Sequence, residues 1–225
     1  MKRSLLAILL LLPFLFVAAQ PRLTTPEIYF GVHGGAMASM VNFSPSVTQR
    51  ALTPYMGATA GLVFRYARHK YCGLQVELNW MQKGWREQET DYQRRLDYIE
   101  LPFLAHINFG KQWRGFFNIG PQIGYCINSS YINMPDLLSE DLTSTAQYDE
   151  ITHPFDWGVA AGVGFLARTI AGTWQLEARF NYSLGSIFSN GITDYFKLSQ
   201  PMNLSLSAAW LWEFRKTDKK KSAKH

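Results

Sequence analysis

The chain has 225 residues, 47% of them apolar, 15% aromatic and only 17% charged, with a formal net charge of +5. That length suits one all-β domain behind an N-terminal leader. The charge does not point to nucleic acid, because Lys2 and Arg3 supply +2 and residues 215–225 a local +5, leaving residues 4–214 at −2.

Residues 1–19 have the order of a secretory signal peptide: charged Lys2 and Arg3, an apolar run from Leu5 to Val17, and small Ala18-Ala19 before Gln20. The run is 13 residues long, short of the roughly 20 needed to span a bilayer as a helix. The expected organisation is an exported domain over 20–214 followed by a basic tail over 215–225.

Eight segments then alternate apolar and polar residues: 28–37, 55–66, 74–85, 98–109, 115–127, 155–168, 174–184 and 202–214. Each reaches the roughly 9–11 residues of a tilted membrane strand. In the third, Leu74, Val76, Leu78 and Trp80 oppose Gln75, Glu77, Asn79 and Lys83. In the fourth, YIELPFLAHINF, the residues Tyr98, Glu100, Pro102, Leu104, His106 and Asn108 share one face. In the seventh, Trp174, Leu176, Ala178, Phe180 and Tyr182 oppose Gln175, Glu177, Arg179, Asn181 and Ser183. In the eighth, Met202, Leu204, Leu206, Ala208, Trp210 and Trp212 oppose Asn203, Ser205, Ser207 and Glu213.

Aromatics near the segment ends (Tyr55, Tyr66, Trp85, Tyr98, Phe109, Trp157, Trp174, Tyr182, Trp212, Phe214) fit interfacial girdles. The connections 38–54, 86–97, 128–154 and 185–201 are long, while 67–73, 110–114 and 169–173 are short. Long outer loops alternating with short periplasmic turns, and both chain ends periplasmic, describe an eight-stranded antiparallel transmembrane β-barrel. Outer-membrane lipid would surround it, and the barrel-assembly machinery would insert it.

The segments YIELPFLAHINF (98–109), NIGPQIGY (118–125), FDWGVAAGVGF (155–165) and QLEARFNYSLGSI (175–187) resemble the PorT-like outer-membrane β-barrel family, in order and across the mature chain. The resemblance implies a barrel of the Gram-negative outer membrane. It also implies a connection with protein export by the type IX secretion system, in which PorT is implicated.

Eight strands leave an interior just wide enough for side chains. Arg65, Glu77, Lys83, Glu100, His106, Asp156, Glu177 and Arg179, with Arg168 and Glu213, are therefore expected to form a lumenal network of ion pairs and hydrogen bonds. An isolated buried charge would be too costly. The competing reading, an enzyme acting on lipid A, needs its base on the outer wall or rim. His106 and His33 instead face inward, and His153 lies in a loop without a nucleophile pattern. The five histidines and two cysteines show no metal-ligand spacing. Cys72 and Cys126 fall at opposite ends of their strands, too far apart for a disulfide. The glycines of GVAAGVGF suit close packing inside a barrel.

Loop 128–154 carries Asp136, Glu140, Asp141, Asp149 and Glu150 with no Lys or Arg, and the tail carries Lys219, Lys220 and Lys221. These are the candidate partner contacts. Two readings of function follow, neither needing a cofactor: a non-enzymatic subunit or accessory factor of an outer-membrane assembly, or a stand-alone structural or adhesive barrel displaying its loops.

Overall fold

A computed structural model describes residues 22–44, 52–87, 93–110, 113–133, 151, 153–185 and 198–215. Within them the chain forms β1 (Arg22–Ser44), β2 (Leu52–His69), β3 (Cys72–Glu87), β4 (Gln93–Gly110), β5 (Trp113–Asn133), β6 (Phe155–Thr169), β7 (Gly172–Ser183) and β8 (Leu198–Arg215). Each strand pairs antiparallel with the next, and β1 closes on β8, so the sheet is a barrel in sequence order. Closure removes both sheet edges along the shared rungs, which an isolated eight-strand sheet would leave exposed.

Alternation along each strand sorts side chains between the lumen and the outer wall. The outer wall is apolar: Phe30, Leu78, Ile119, Val163, Leu176 and Leu206 are each 42–58% exposed. Apolar exposure on this scale belongs against lipid rather than water. Trp113 and Tyr125 are outward aromatics toward the two ends of this band on β5, and both are more than half exposed. Twelve residues separate them, about 40 Å along the strand and about 30 Å along the axis at a tilt of about 40°. That height matches the hydrocarbon core of a bilayer, about 30 Å.

Of the expected girdle, Tyr66, Phe109, Trp157, Trp174, Tyr182, Trp212 and Phe214 do face outward. Tyr55, Trp85 and Tyr98 do not: they are buried, with Trp85 0% exposed. Their strand phase explains this, since Trp85 is in step with Lys83 and Tyr98 with Glu100. Proximity to a strand end marks an interface residue only when the phase is also outward.

Six strands run beyond the sequence expectation at both ends, while β6 begins where expected and β7 ends one residue short. At the short connections the strands end and restart at His69/Cys72, Gly110/Trp113 and Thr169/Gly172, with Gly110 (φ 120°) and Gly172 (φ 133°) in the left-handed region. At the outer end, Asn128–Asn133 extend β5 against β4, and Leu198–Pro201 extend β8 against β1. These stretches stand above the apolar band, where water meets both faces and alternation weakens.

The outer rim is uneven. β5 shares rungs with β4 as far as Gln93↔Asn133 but with β6 only to Tyr125↔Phe155. β8 reaches Ser44↔Leu198 beside β1 but stops at Tyr182↔Met202 beside β7. Among the described residues, the wall is therefore low at β6–β7 and tall elsewhere.

Candidate functional site

The lumen is filled by three polar clusters. The central one is built on Arg179 of β7, whose Nη1 and Nη2 each donate to one oxygen of Glu77 at 2.6 Å. Its Nε and Nη2 also donate to the two oxygens of Glu177 at 2.9 Å. One guanidinium thus joins carboxylates from β3 and β7, on facing walls, in the two-pronged geometry that favours arginine over lysine. The same Gln-x-Glu spacing occurs on both strands. Gln75 Nε2 donates to Glu77 Oε1 and Gln175 Nε2 to Glu177 Oε2, while both Gln Oε1 atoms accept from Arg65. Arg65 therefore reaches the carboxylates through two amides rather than directly. Asn79 and Asn118 complete the set by donating to Glu77 and Glu177 at 2.8 and 3.0 Å.

Nearer the outer end, Lys83 of β3 binds Glu100 of the neighbouring β4 and crosses the lumen to Asp156 of β6, 3.1 Å away. The Tyr98 ring lies 4.5 Å from its ammonium, and Ser183 donates to Asp156 at 2.6 Å. Above them the Arg94 guanidinium lies over the Trp85 and Tyr131 rings at 5.6 and 4.8 Å. At the inner mouth, Arg168 binds Glu27 and the Tyr29 hydroxyl, which itself donates to Glu27 at 2.7 Å.

The charges balance. In the inner half Arg65, Arg114, Arg168 and Arg179 stand against Glu27, Glu77, Glu177 and Glu213. In the outer half Lys83 and Arg94, with Arg95 of the rim, stand against Asp97, Glu100 and Asp156. Buried ions need this, because desolvation of each costs several kcal/mol unless partners and hydrogen bonds offset it.

Long side chains fit because the β5–β6 wall is nearly bare. Its inward positions include Gly120, Gly124, Gly158, Ala160, Gly162 and Gly164. A Cβ on Gly162 would fall 2.3 Å from Glu177 Oε1, and one on Gly164 2.5 Å from the Phe116 ring. The glycines of GVAAGVGF thus serve close packing. Gly162→Val is expected to push Glu177 off Arg179 and cost about 1–3 kcal/mol, as overpacking does. A lowered midpoint of urea unfolding in detergent micelles would show it, and an unchanged midpoint would mean the lumen has slack.

All eight residues expected in the network lie in the lumen and are at most 7% exposed. They do not form one web: Lys83, Glu100 and Asp156 make the outer cluster, the rest the central one with His106 attached through Asn118. Sequence reasoning missed Glu27, Tyr29, Arg94 and Arg114. Glu27 and Arg114 lie just before the expected strand starts, and stepping two residues back from Tyr29 and from Phe116 reaches them. Asp136, Glu140, Asp141, Asp149, Glu150, Lys219, Lys220 and Lys221 lie outside the described residues, as does the expected signal segment. Cys72 and Cys126 are free thiols. They pair with Ile107 and Tyr98 of β4, about 30 Å apart along that strand. Among the described residues no His, Cys, Asp and Glu side chains gather as a metal-binding set.

Among solved structures, Neisserial surface protein A is similar at 12% identity and a TM-score of 0.45, covering 80% of this chain and 96% of its own. The attachment invasion locus protein Ail of Yersinia pestis is similar at 11% and 0.43, covering 83% and 99%. The outer membrane enzyme PagL is similar at 10% and 0.40, covering 81% and 98%. Likenesses of this size do not extend to function. No curated protein matches the sequence. The profile described as "Outer membrane protein beta-barrel domain" matches residues 18–189, most of the chain. The protein is therefore an eight-stranded barrel of the outer membrane and a member of the outer membrane protein beta-barrel domain family.

Proposed function

We propose that the barrel is a non-enzymatic subunit or accessory factor of a larger outer-membrane assembly, with a PorT-like role in protein secretion as its specific form. The observation that carries this reading is the filled lumen. Side chains from opposite walls meet across it, as Arg179 meets Glu77 and Lys83 meets Asp156. Among the described residues, these contacts close the middle of the lumen, which supports a role other than passage of solutes. His106, the most suggestive candidate base, is 1% exposed and held by Asn118. Work then falls to the two ends of the molecule. At the outer end the acidic segment follows β5 in sequence and leads to β6, and its Asp136, Glu140, Asp141, Asp149 and Glu150 would be offered to a basic partner surface. At the periplasmic end Lys219, Lys220 and Lys221 would meet anionic lipid or an acidic partner, each basic residue adding about 1 kcal/mol near such a surface.

Affinity purification from native membranes in mild detergent, followed by mass spectrometry, tests this. Stoichiometric co-purification of secretion or barrel-assembly proteins is expected, with loss of a partner when the loop carboxylates are replaced by amides. A monodisperse, partner-free barrel would overturn the reading in favour of a stand-alone structural or adhesive protein. Deleting residues 216–225 is expected to leave insertion intact, scored by the heat-modifiable gel shift of folded barrels, while weakening any periplasmic contact.

A further inference from the structure

One buried acceptor of the inner lumen has no partner. His106 is 1% exposed; its Nδ1 lies 2.7 Å from Asn118 Oδ1, and its Nε2 makes no hydrogen bond. The proton's place follows from the next link in the chain. Asn118 Nδ2 donates to Glu177 Oε1, an oxygen that also receives Arg179 and so acts only as acceptor. The Asn118 amide is therefore oriented with Oδ1 toward the ring. Nδ1 must carry the proton, and Nε2 keeps a lone pair. Leaving such a group dry costs about 1–3 kcal/mol.

His106 lines a cavity of about 10 Å³ near the inner mouth, walled also by Glu27, Tyr29, Arg65, Arg114 and Arg168. That volume is about one water molecule, and a buried water needs two to four polar partners. The chemistry of the walls selects among small guests. An anion would meet the Nε2 lone pair, in a lumen half whose charges already cancel. A cation would meet three guanidiniums. Water alone both donates and accepts. We propose that this cavity is a single-water site: the water donates to His106 Nε2, and its oxygen accepts from the guanidiniums of the wall. The bound water closes the hydrogen-bond network between the central cluster and the mouth.

The test uses the intact barrel, labelled with ¹⁵N-histidine and folded in detergent micelles at neutral pH. The His106 ring is assigned by replacing His33, His69, His153 and His225 one at a time, none of which lines the cavity. The expected result is a neutral ring protonated at Nδ1, with a magnetisation-transfer peak from its carbon-bound protons to water. That peak and the ring shifts should not move when sodium chloride is exchanged for sodium bromide. An Nε2-protonated ring, or no contact with water, overturns the proposal. Ring shifts that follow the halide would make the cavity an anion site instead, and equally overturn it.

Discussion

Replacing Arg179 with methionine is expected to cost the folded barrel about 3–5 kcal/mol, because it strands two buried carboxylates rather than removing a balanced pair. Glu77 and Glu177 are each 2% exposed, and Arg179 makes four hydrogen bonds to them. Methionine keeps most of the volume, so the loss reports charge and hydrogen bonding rather than a cavity. Urea unfolding in micelles, followed by the gel-shift assay, measures it. The double variant that adds Glu177→Gln should recover part of the loss, since Arg65, Arg114 and Arg168 then stand against Glu27, Glu77 and Glu213 and the inner half is balanced again. A single variant as stable as the native barrel would mean that water enters this layer and solvates the carboxylates.

Lys83→Met is expected to cost a similar amount for the same reason, leaving Glu100 and Asp156, 2% and 5% exposed, without their shared cation. The comparison of the two variants is informative. In one cluster Lys83 holds Glu100 and Asp156, with Ser183 on Asp156; in the other Arg179 holds Glu77 and Glu177, with Arg65 joined through Gln75 and Gln175. Independent clusters give additive losses, within about 0.3–0.5 kcal/mol. A double variant, Lys83→Met with Arg179→Met, measured with both singles, decides this. A coupling of 1 kcal/mol or more would show that the lumen behaves as one network, as its sequence first suggests.

The fold was legible in the sequence because lipid outside and a narrow polar lumen inside impose the same two-residue period on every strand. Gln75, Glu77, Asn79 and Gln175, Glu177, Arg179 show it most clearly, and their inward phase alone placed them together. What the period could not show is reach. Which charge meets which depends on strand stagger and on the bare β5–β6 wall, so Arg65 bonding two glutamines rather than a carboxylate was not visible in the residues. Nor was the crossing of Lys83 to Asp156, 73 residues away. The period also fails above the bilayer. There Asn128–Asn133 reads as loop, and near a bulge at Asp97/Tyr98 two consecutive residues are both buried. Trp85 and Tyr98, aromatic and close to strand ends, resembled interface residues until their phase put them inside.

A plug of paired side chains spanning the lumen is the central claim, and ion flow through single barrels tests it most directly. Recombinant protein refolded and inserted into planar bilayers is expected to give no unitary conductance in molar potassium chloride. Steady single-channel steps from the native sequence, abolished when insertion is blocked, would contradict a filled lumen and return the molecule to the class of pores.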